Sequence, residues 1–308
     1  MKTQNSFGKF DFVGKAGVFG GISLAFVVIS LIYLAVKGIS YGIDFRGGTE
    51  IQVRYAQTVT ISEVRNAVEN IGLKDASVQS IGEEHEFIVR FQGQKGQTDK
   101  ETNELLNADI EKVKTALVDN LSAKQPDLRR VDTVGPQVGA ELKRNGFLAV
   151  FYSLLVILGY IALRFDYKYA PGAVVCLAHD AIVTLAIFVA VGKEVNIPIL
   201  AAILTLIGYS LNDTIVVFDR IRETENAEAD KGMGFVINKA INDMLSRTVI
   251  TSGTTFVSAI CLFLFADGTV ADIAFALCVG IFFGTYSSIY VAAPFILLVE
   301  KLGLVRKA

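Results

Sequence analysis

Six stretches of this sequence are each long and apolar enough to cross a bilayer, and they leave the chain few ways to fold. They run Ala16–Val36, Phe147–Leu163, Pro171–Val191, Ile197–Phe218, Val249–Ala266 and Ala271–Val299. A hydrocarbon core of about 30 Å takes roughly 17 to 25 helical residues to cross. No water reaches that depth, so each segment must bond its own backbone N–H and C=O groups, which a helix does. The composition agrees, with 52% hydrophobic and 19% charged residues, where soluble domains carry about 25% charged. The first run is too long for a signal-peptide core and no small-residue cleavage site follows it, so it is expected to stay as a span. The expected class is an α-helical polytopic membrane protein with six transmembrane helices.

Lysine and arginine orient the spans. Lys2, Lys9 and Lys15 precede the first, Arg164 and Lys168 join the second and third, and Arg220, Arg222, Lys231 and Lys239 join the fourth and fifth. Lys301, Arg306 and Lys307 follow the sixth, whereas the opposite loops hold only Lys193 with Glu194, and Asp267 with Asp272. Both termini are therefore expected in the cytoplasm. Lys143 and Arg144, before the second span, belong to a long translocated segment where the rule is weak. Pro171 and Pro198 fit the first turns of their helices, where a missing N–H costs nothing. Pro294 lies deep in the last run and predicts a kink or an exit from the core.

Between the first two spans lies a water-soluble segment, expected to be extracytoplasmic. Thr49–Tyr55 alternates as a strand, and Ile61, Val64, Val68 and Ile71 recur at helical spacing. Ala76–Ile81 and Glu86–Phe91 alternate again, Leu105–Leu121 is amphipathic, and Arg129–Val134 closes the pattern. The order βαββαβ predicts an α+β ferredoxin-like domain. The chain then divides into 1–37 (cytoplasmic N-terminus and first helix), 38–144 (the extracytoplasmic domain), 145–300 (helices two to six) and 301–308 (a cytoplasmic tail).

Several chemistries are unsupported. The net charge of −2 gives no footprint for nucleic acid. Cys176, Cys261 and Cys278 all lie in apolar runs, and the two histidines, His85 and His179, are far apart, so neither a disulfide framework nor a zinc site is expected. Neither a nucleophile elbow nor a phosphate-binding glycine loop appears, and the expectation is no enzyme and no cofactor. His85 reads as a solvated hairpin tip in Gly82-Glu83-Glu84-His85-Glu86.

Charges inside spans carry the signal, because an ionised side chain at bilayer depth costs at least ~2.5–3.5 kcal/mol unless it is paired or hydrated. Asp213 sits in Gly208-Tyr209-Ser210-Leu211-Asn212-Asp213-Thr214 of the fourth span. It reads either as an interfacial carboxylate capped by water or as the carrier of a coupling ion, H⁺ or Na⁺, with Ser210, Asn212 and Thr214 supplying oxygens. Arg247 opens the fifth span at the same depth, as a partner for Asp213 across the bundle or as a snorkelling anchor. Thr248, Thr251, Ser252, Thr254, Thr255 and Ser258 make that span unusually polar, which suits a hydrated path or helix–helix glue. His179 and Asp180 lie mid-span, but neighbours on a helix point about 100° apart, so at most one is expected to face a path. Gly280 and Gly284 form a small-xxx-small packing face. Gly42, Gly47 and Gly48 surround Asp44-Phe45-Arg46 and predict a tight turn into the first strand.

Three segments together carry a resemblance. Gly42-Ile43-Asp44-Phe45-Arg46-Gly47-Gly48-Thr49, Gly208 to Glu223 and Ser246 to Thr255, with Gly284-Thr285-Tyr286-Ser287-Ser288 in support, are similar to the SecF branch of the SecD/SecF family. These are accessory subunits of the Sec protein translocase, within the resistance–nodulation–division superfamily. The first segment is shared with SecD, whose soluble region is longer, which favours SecF. The resemblance implies pairing with SecD to give twelve spans, and action beside the SecYEG channel on a translocating preprotein. It implies a location among the lipids of the cytoplasmic (inner) membrane, export powered by ion flow, and Asp213 and Arg247 as the family's essential aspartate and arginine. Two alternatives stay open: a non-transporting scaffold of the translocon, and half of a small-molecule or lipid exporter of the same superfamily.

Overall fold

The computed structural model describes residues 10–73, 76–81, 85–92, 99–119, 121–165 and 168–302. Lys2, Lys9, Gly82, Glu83, Glu84, Arg306 and Lys307 lie outside the described residues. The chain forms two compact units, one of Tyr41–Phe147 and one of the segments before and after it.

In chain order, the larger unit begins with helix α1, Phe12–Lys37. The smaller unit contains α2 (Ile43–Arg46), β1 (Gly48–Tyr55), α3 (Ile61–Glu69), β2 (Ser77–Ser80), β3 (Glu86–Phe91), α4 (Asp99–Asp119) and β4 (Pro126–Val134). Helix α5, Pro136–Arg164, carries the chain onward. The rest is α6 (Ala170–Ala190), α7 (Ile197–Ala227), α8 (Met233–Phe265), α9 (Gly268–Ser287), a π turn at Ser288–Ala292 and α10 (Ala293–Lys301). Six of these helical stretches are long and apolar enough to span a membrane, as the six runs predict.

The smaller unit has the expected strand–helix order, with the antiparallel sheet arranged β2-β3-β1-β4. Pleating puts alternate residues on one face. Thus Ile51, Val53 and Tyr55 of β1 pack beside Val78 of β2 and Phe87, Val89 and Phe91 of β3, under Val64 and Val68 of α3 and Leu106, Ile110, Val113 and Leu117 of α4. The opposite face is polar, with Arg90 donating to Glu50 at 2.6 Å and Gln52 to Glu86 at 2.7 Å. A capping box opens α3: Glu63 N–H donates to Thr60 Oγ1 while Thr60 N–H donates to the Glu63 carboxylate at 2.7 Å. His85 departs from expectation. It lies in the turn just ahead of β3, half-buried rather than solvated, and its carbonyl takes a bond from Tyr55 N–H at 2.7 Å.

In the larger unit α6 is central, with over half of its most apolar stretch buried, and α1, α7 and α9 pack against it. Three helices extend past their apolar runs. α5 starts at Pro136, so Lys143 and Arg144 are helical; α7 continues to Ala227; α8 starts at Met233. Polar residues there still favour helix by propensity, and apolar runs mark only the part that needs lipid. Charges fix the ends where they meet: Lys168 to Glu225 at 2.6 Å, Arg220 to Asp243 at 2.6 Å, and Lys231 and Lys239 both to Glu228. At the other end Lys193 pairs with Asp272. Pro294 cannot donate to the carbonyl four residues back, and the π turn sits just ahead of it, with the helix resuming through Lys301.

Candidate functional site

Helix α7 directs its polar residues two ways. Asp213 is buried, 5% exposed, and its Oδ2 accepts from Ser252 Oγ of α8 at 2.7 Å. Ser210 and Thr214, one turn apart on the same helix, face α6 and the α9 end instead. Ser210 Oγ donates to Asp180 Oδ2 at 2.6 Å, and Thr214 Oγ1 lies 3.0 Å from Ser288 Oγ.

Asp180 is fully buried and gathers the second group of polar atoms. Its Oδ2 also accepts from Ser287 Oγ at 2.9 Å, with Cys176 Sγ 3.9 Å away, and its Oδ1 lies 2.8 Å from His179 Nδ1. Both neighbours lead into protein: His179 is 3% exposed and Asp180 is 0%. The physical reason is that α6 is packed on several sides at once, so two directions 100° apart both lead into protein.

Arg247 acts electrostatically on Asp213 but makes no close ion pair with it. Among the described residues no carboxylate oxygen lies within ion-pair reach of Arg247, which is exposed beside exposed Val249 and Ile250. Helical geometry explains this. Ser252 is five residues on, about 140° round the helix, so the face that serves Asp213 turns the guanidinium outward. Thr248, buried at 2%, and Ser252 share the inner face. Asn212 is exposed, and Thr251 is half-buried with its carbonyl taking a bond from Tyr209 Oη at 3.2 Å. The rest of the hydroxyl run divides: Thr254, Thr255 and Ser258 bond back to carbonyls of their own helix, as threonine and serine do inside helices.

Sequence reasoning missed three members of the Asp180 group as site residues: Cys176, Ser287 and Ser288. The i, i+4 spacing of Cys176 and Asp180 put them on one helix face and was a usable signal. The packing expected of Gly280 and Gly284 is present. A Cβ at Gly280 would strike Leu206, and one at Gly284 would lie 3.3 Å from Ser210 Oγ and 3.5 Å from Asp180 Oδ2.

Comparison with known proteins decides the family. Residues 113–302 match the family described as protein export membrane protein SecD/SecF, C-terminal, and residues 32–59 match the SecD/SecF GG motif. The chain belongs to the SecD/SecF family. Among SecF relatives, protein translocase subunit SecF of Calditerrivibrio nitroreducens is 41% identical over 294 residues, covering 95% of this chain and 94% of that one. The SecF of Vibrio alginolyticus is 39% identical over 307 residues, covering 100% and 93%. The crystal structure of SecDF from Thermus thermophilus, described as a translocon-associated membrane protein, matches with a TM-score of 0.82 and 34% identity over 95% of this chain. A crystal structure of SecDF in a super-membrane-facing form matches with a TM-score of 0.69 and 32% identity over 96%. This chain spans 39% of each of those SecDF chains. With six spans and SecF relatives of nearly its full length, it is a multi-pass membrane protein.

The SecD/SecF GG motif has a clear local cause. Gly42 precedes the single turn of α2, where Asp44 and Arg46 sit, and Gly47 and Gly48 follow with φ of 75° and 132°. A side chain at Gly47 would meet Pro136 Cα at 2.8 Å, and one at Gly48 would meet the Phe91 carbonyl at 2.7 Å. Both strain and space therefore demand glycine here.

Proposed function

We propose that the chain is a SecF-type subunit that pairs with SecD and, beside SecYEG, uses an ion gradient to promote preprotein export across the cytoplasmic membrane. In this reading both termini are cytoplasmic and the 38–144 domain is extracytoplasmic, where it acts on the emerging preprotein. The lysine and arginine distribution supports that orientation. Lipid surrounds the exposed apolar residues of α1 and α5, such as Leu24, Ile29, Val156 and Leu163.

The observation that carries the ion-coupled reading is Asp213, a buried carboxylate bonded to one hydroxyl, with Arg247 of the next helix near enough to act on its charge but not paired with it. Such a carboxylate is costly in its charged form unless it is paired. Two states then suit it: protonated and held by Ser252, or ionised and paired with a cation that approaches. Arg247 is the nearby candidate, reaching Asp213 after a rotation of α8 or meeting SecD on the outer face. A proton crossing the membrane supplies ~2.3 kcal/mol per 100 mV, enough to bias two packings of a helix bundle. The Gly42–Gly48 segment would pass that change to the soluble domain.

The test is export of a slowly secreted protein into vesicles, with Asp213→Asn compared to the native chain under imposed H⁺ and Na⁺ gradients. The expected result is normal assembly with SecD and loss of gradient stimulation, and the gradient that stimulates the native chain names the ion. The competing reading is a non-transporting scaffold, in which the same substitution releases SecD or changes nothing in export.

A further inference from the structure

We infer that His179 and Asp180 form a second proton-binding site, separate from Asp213, in which Nε2 of His179 is the atom that takes the proton. The inference deepens the ion-coupled reading, but its main test does not depend on export.

Asp180 is fully buried. The Ser210 and Ser287 hydroxyls direct donors at its Oδ2, the Cys176 thiol donates to Ser287 Oγ at 3.1 Å, and Asp180 Oδ1 faces His179 Nδ1 at 2.8 Å. An ionised carboxylate only accepts, so the imidazole proton belongs on Nδ1. Nε2 then carries a lone pair, and among the described residues it is buried with no hydrogen-bond partner. Its surroundings cannot serve it. The closest rings are Phe283 and Tyr286, with centroids 6.2 and 6.4 Å from that of the imidazole. The single hydroxyl proton of Tyr286 is already given to the Phe19 carbonyl at 2.7 Å, and its oxygen accepts from Ser23 at 3.0 Å.

Charge sharpens the point. α6 contributes Cys176 and Thr184 near the pair. α1 contributes Phe19 and Ser23, and no charged residue lies between Lys15 and Lys37. α7 contributes Ser210 and Thr214, with Asp213 turned toward Ser252. α9 contributes Phe283, Tyr286 and Ser287, and the π turn Ser288, with no charged residue between Asp272 and Glu300. No cation faces the pair from any of these elements. With Asp180 ionised and one proton on Nδ1, the pair would carry a net charge of about −1 in a medium that penalises charge. When Nε2 takes a proton from hydronium, one N–H bond forms, water leaves, no protein bond breaks and the net charge becomes zero. Sodium fits poorly, since it seeks oxygen ligands and the open atom is nitrogen. Because Ser210 lies on α7 and Ser287 on α9, this charge change acts on the bonds that join three helices through Asp180.

The chain has two histidines, which makes a direct measurement practical. The complex is prepared in lipid vesicles with ¹⁵N-histidine, and His179 is assigned by the signal lost in His179→Gln. His85→Gln provides a form in which it is the only imidazole of this chain. As the pH is lowered, Nε2 should pass from bare to protonated while Nδ1 stays protonated. An Nε2 that stays bare throughout, or a proton found on Nε2 with Nδ1 bare, would overturn the inference. Asp213→Asn should leave this titration in place, so loss of export there with an intact His179 signal separates failure of one site from failure of the other.

Discussion

At the scale of single residues, the polar atoms of the larger unit form two groups rather than one path. Asp213 is tied to α8 through Ser252, while Asp180 is tied to α7 and α9 through Ser210 and Ser287. Gly284 keeps the second group closed, so Gly284→Val should push on Ser210 and Asp180 and cost about 1–3 kcal/mol, read as a fall in thermal unfolding temperature in detergent. In the smaller unit, the Glu63 carboxylate is held below its usual range, first by the Thr60 N–H and then by its hydroxyl. A depressed carboxyl stabilises above its unfolded value, near ~4.3, and that contribution is lost as pH falls through the folded value. Hydrogen exchange at the start of α3 should therefore quicken below about pH 4 in the native chain. Glu63→Gln, which can still cap without titrating, should flatten that dependence.

At the scale of elements, α8 also anchors the entry to α1. Asn238 Oδ1 accepts from Phe12 N–H at 2.8 Å, and Asn242 exchanges two bonds with the backbone of Phe10, at 2.7 and 2.8 Å. Replacing both asparagines with alanine should cost about 1 kcal/mol per bond lost and raise protease cleavage ahead of Phe12. These contacts cross more than two hundred positions in sequence, so no local pattern foretells them. What the sequence did make legible is what local physics controls. Apolar runs announced six spans, alternation in Thr49–Tyr55 and Glu86–Phe91 announced the strands, and glycines at 47 and 48 announced a tight turn. The sites were legible in part: Asp213, Asp180 and Ser210 stood out as polar atoms in apolar runs. Their partners did not, because an apolar run does not say which helix faces which. Arg247 shows the limit, since rotation about the helix was not readable from the sequence.

At the scale of the whole molecule, the larger unit leaves α1, α5 from Leu148 onward and much of α8 apolar and exposed, with Val156 at 71% and Phe265 at 87%. In a membrane that surface meets lipid or another membrane subunit, and membership of the SecD/SecF family makes SecD the proposed partner. In the proposed function, a change of charge on buried Asp213 moves the helices of that assembly. The most direct measurement is ion flux itself, followed with a pH-sensitive dye inside vesicles that hold the assembled complex, as a proton gradient is imposed during export. The account predicts inward flux in the native chain that accompanies export, and its loss in Asp213→Asn while the complex stays assembled. Undiminished flux in the assembled Asp213→Asn complex would contradict it.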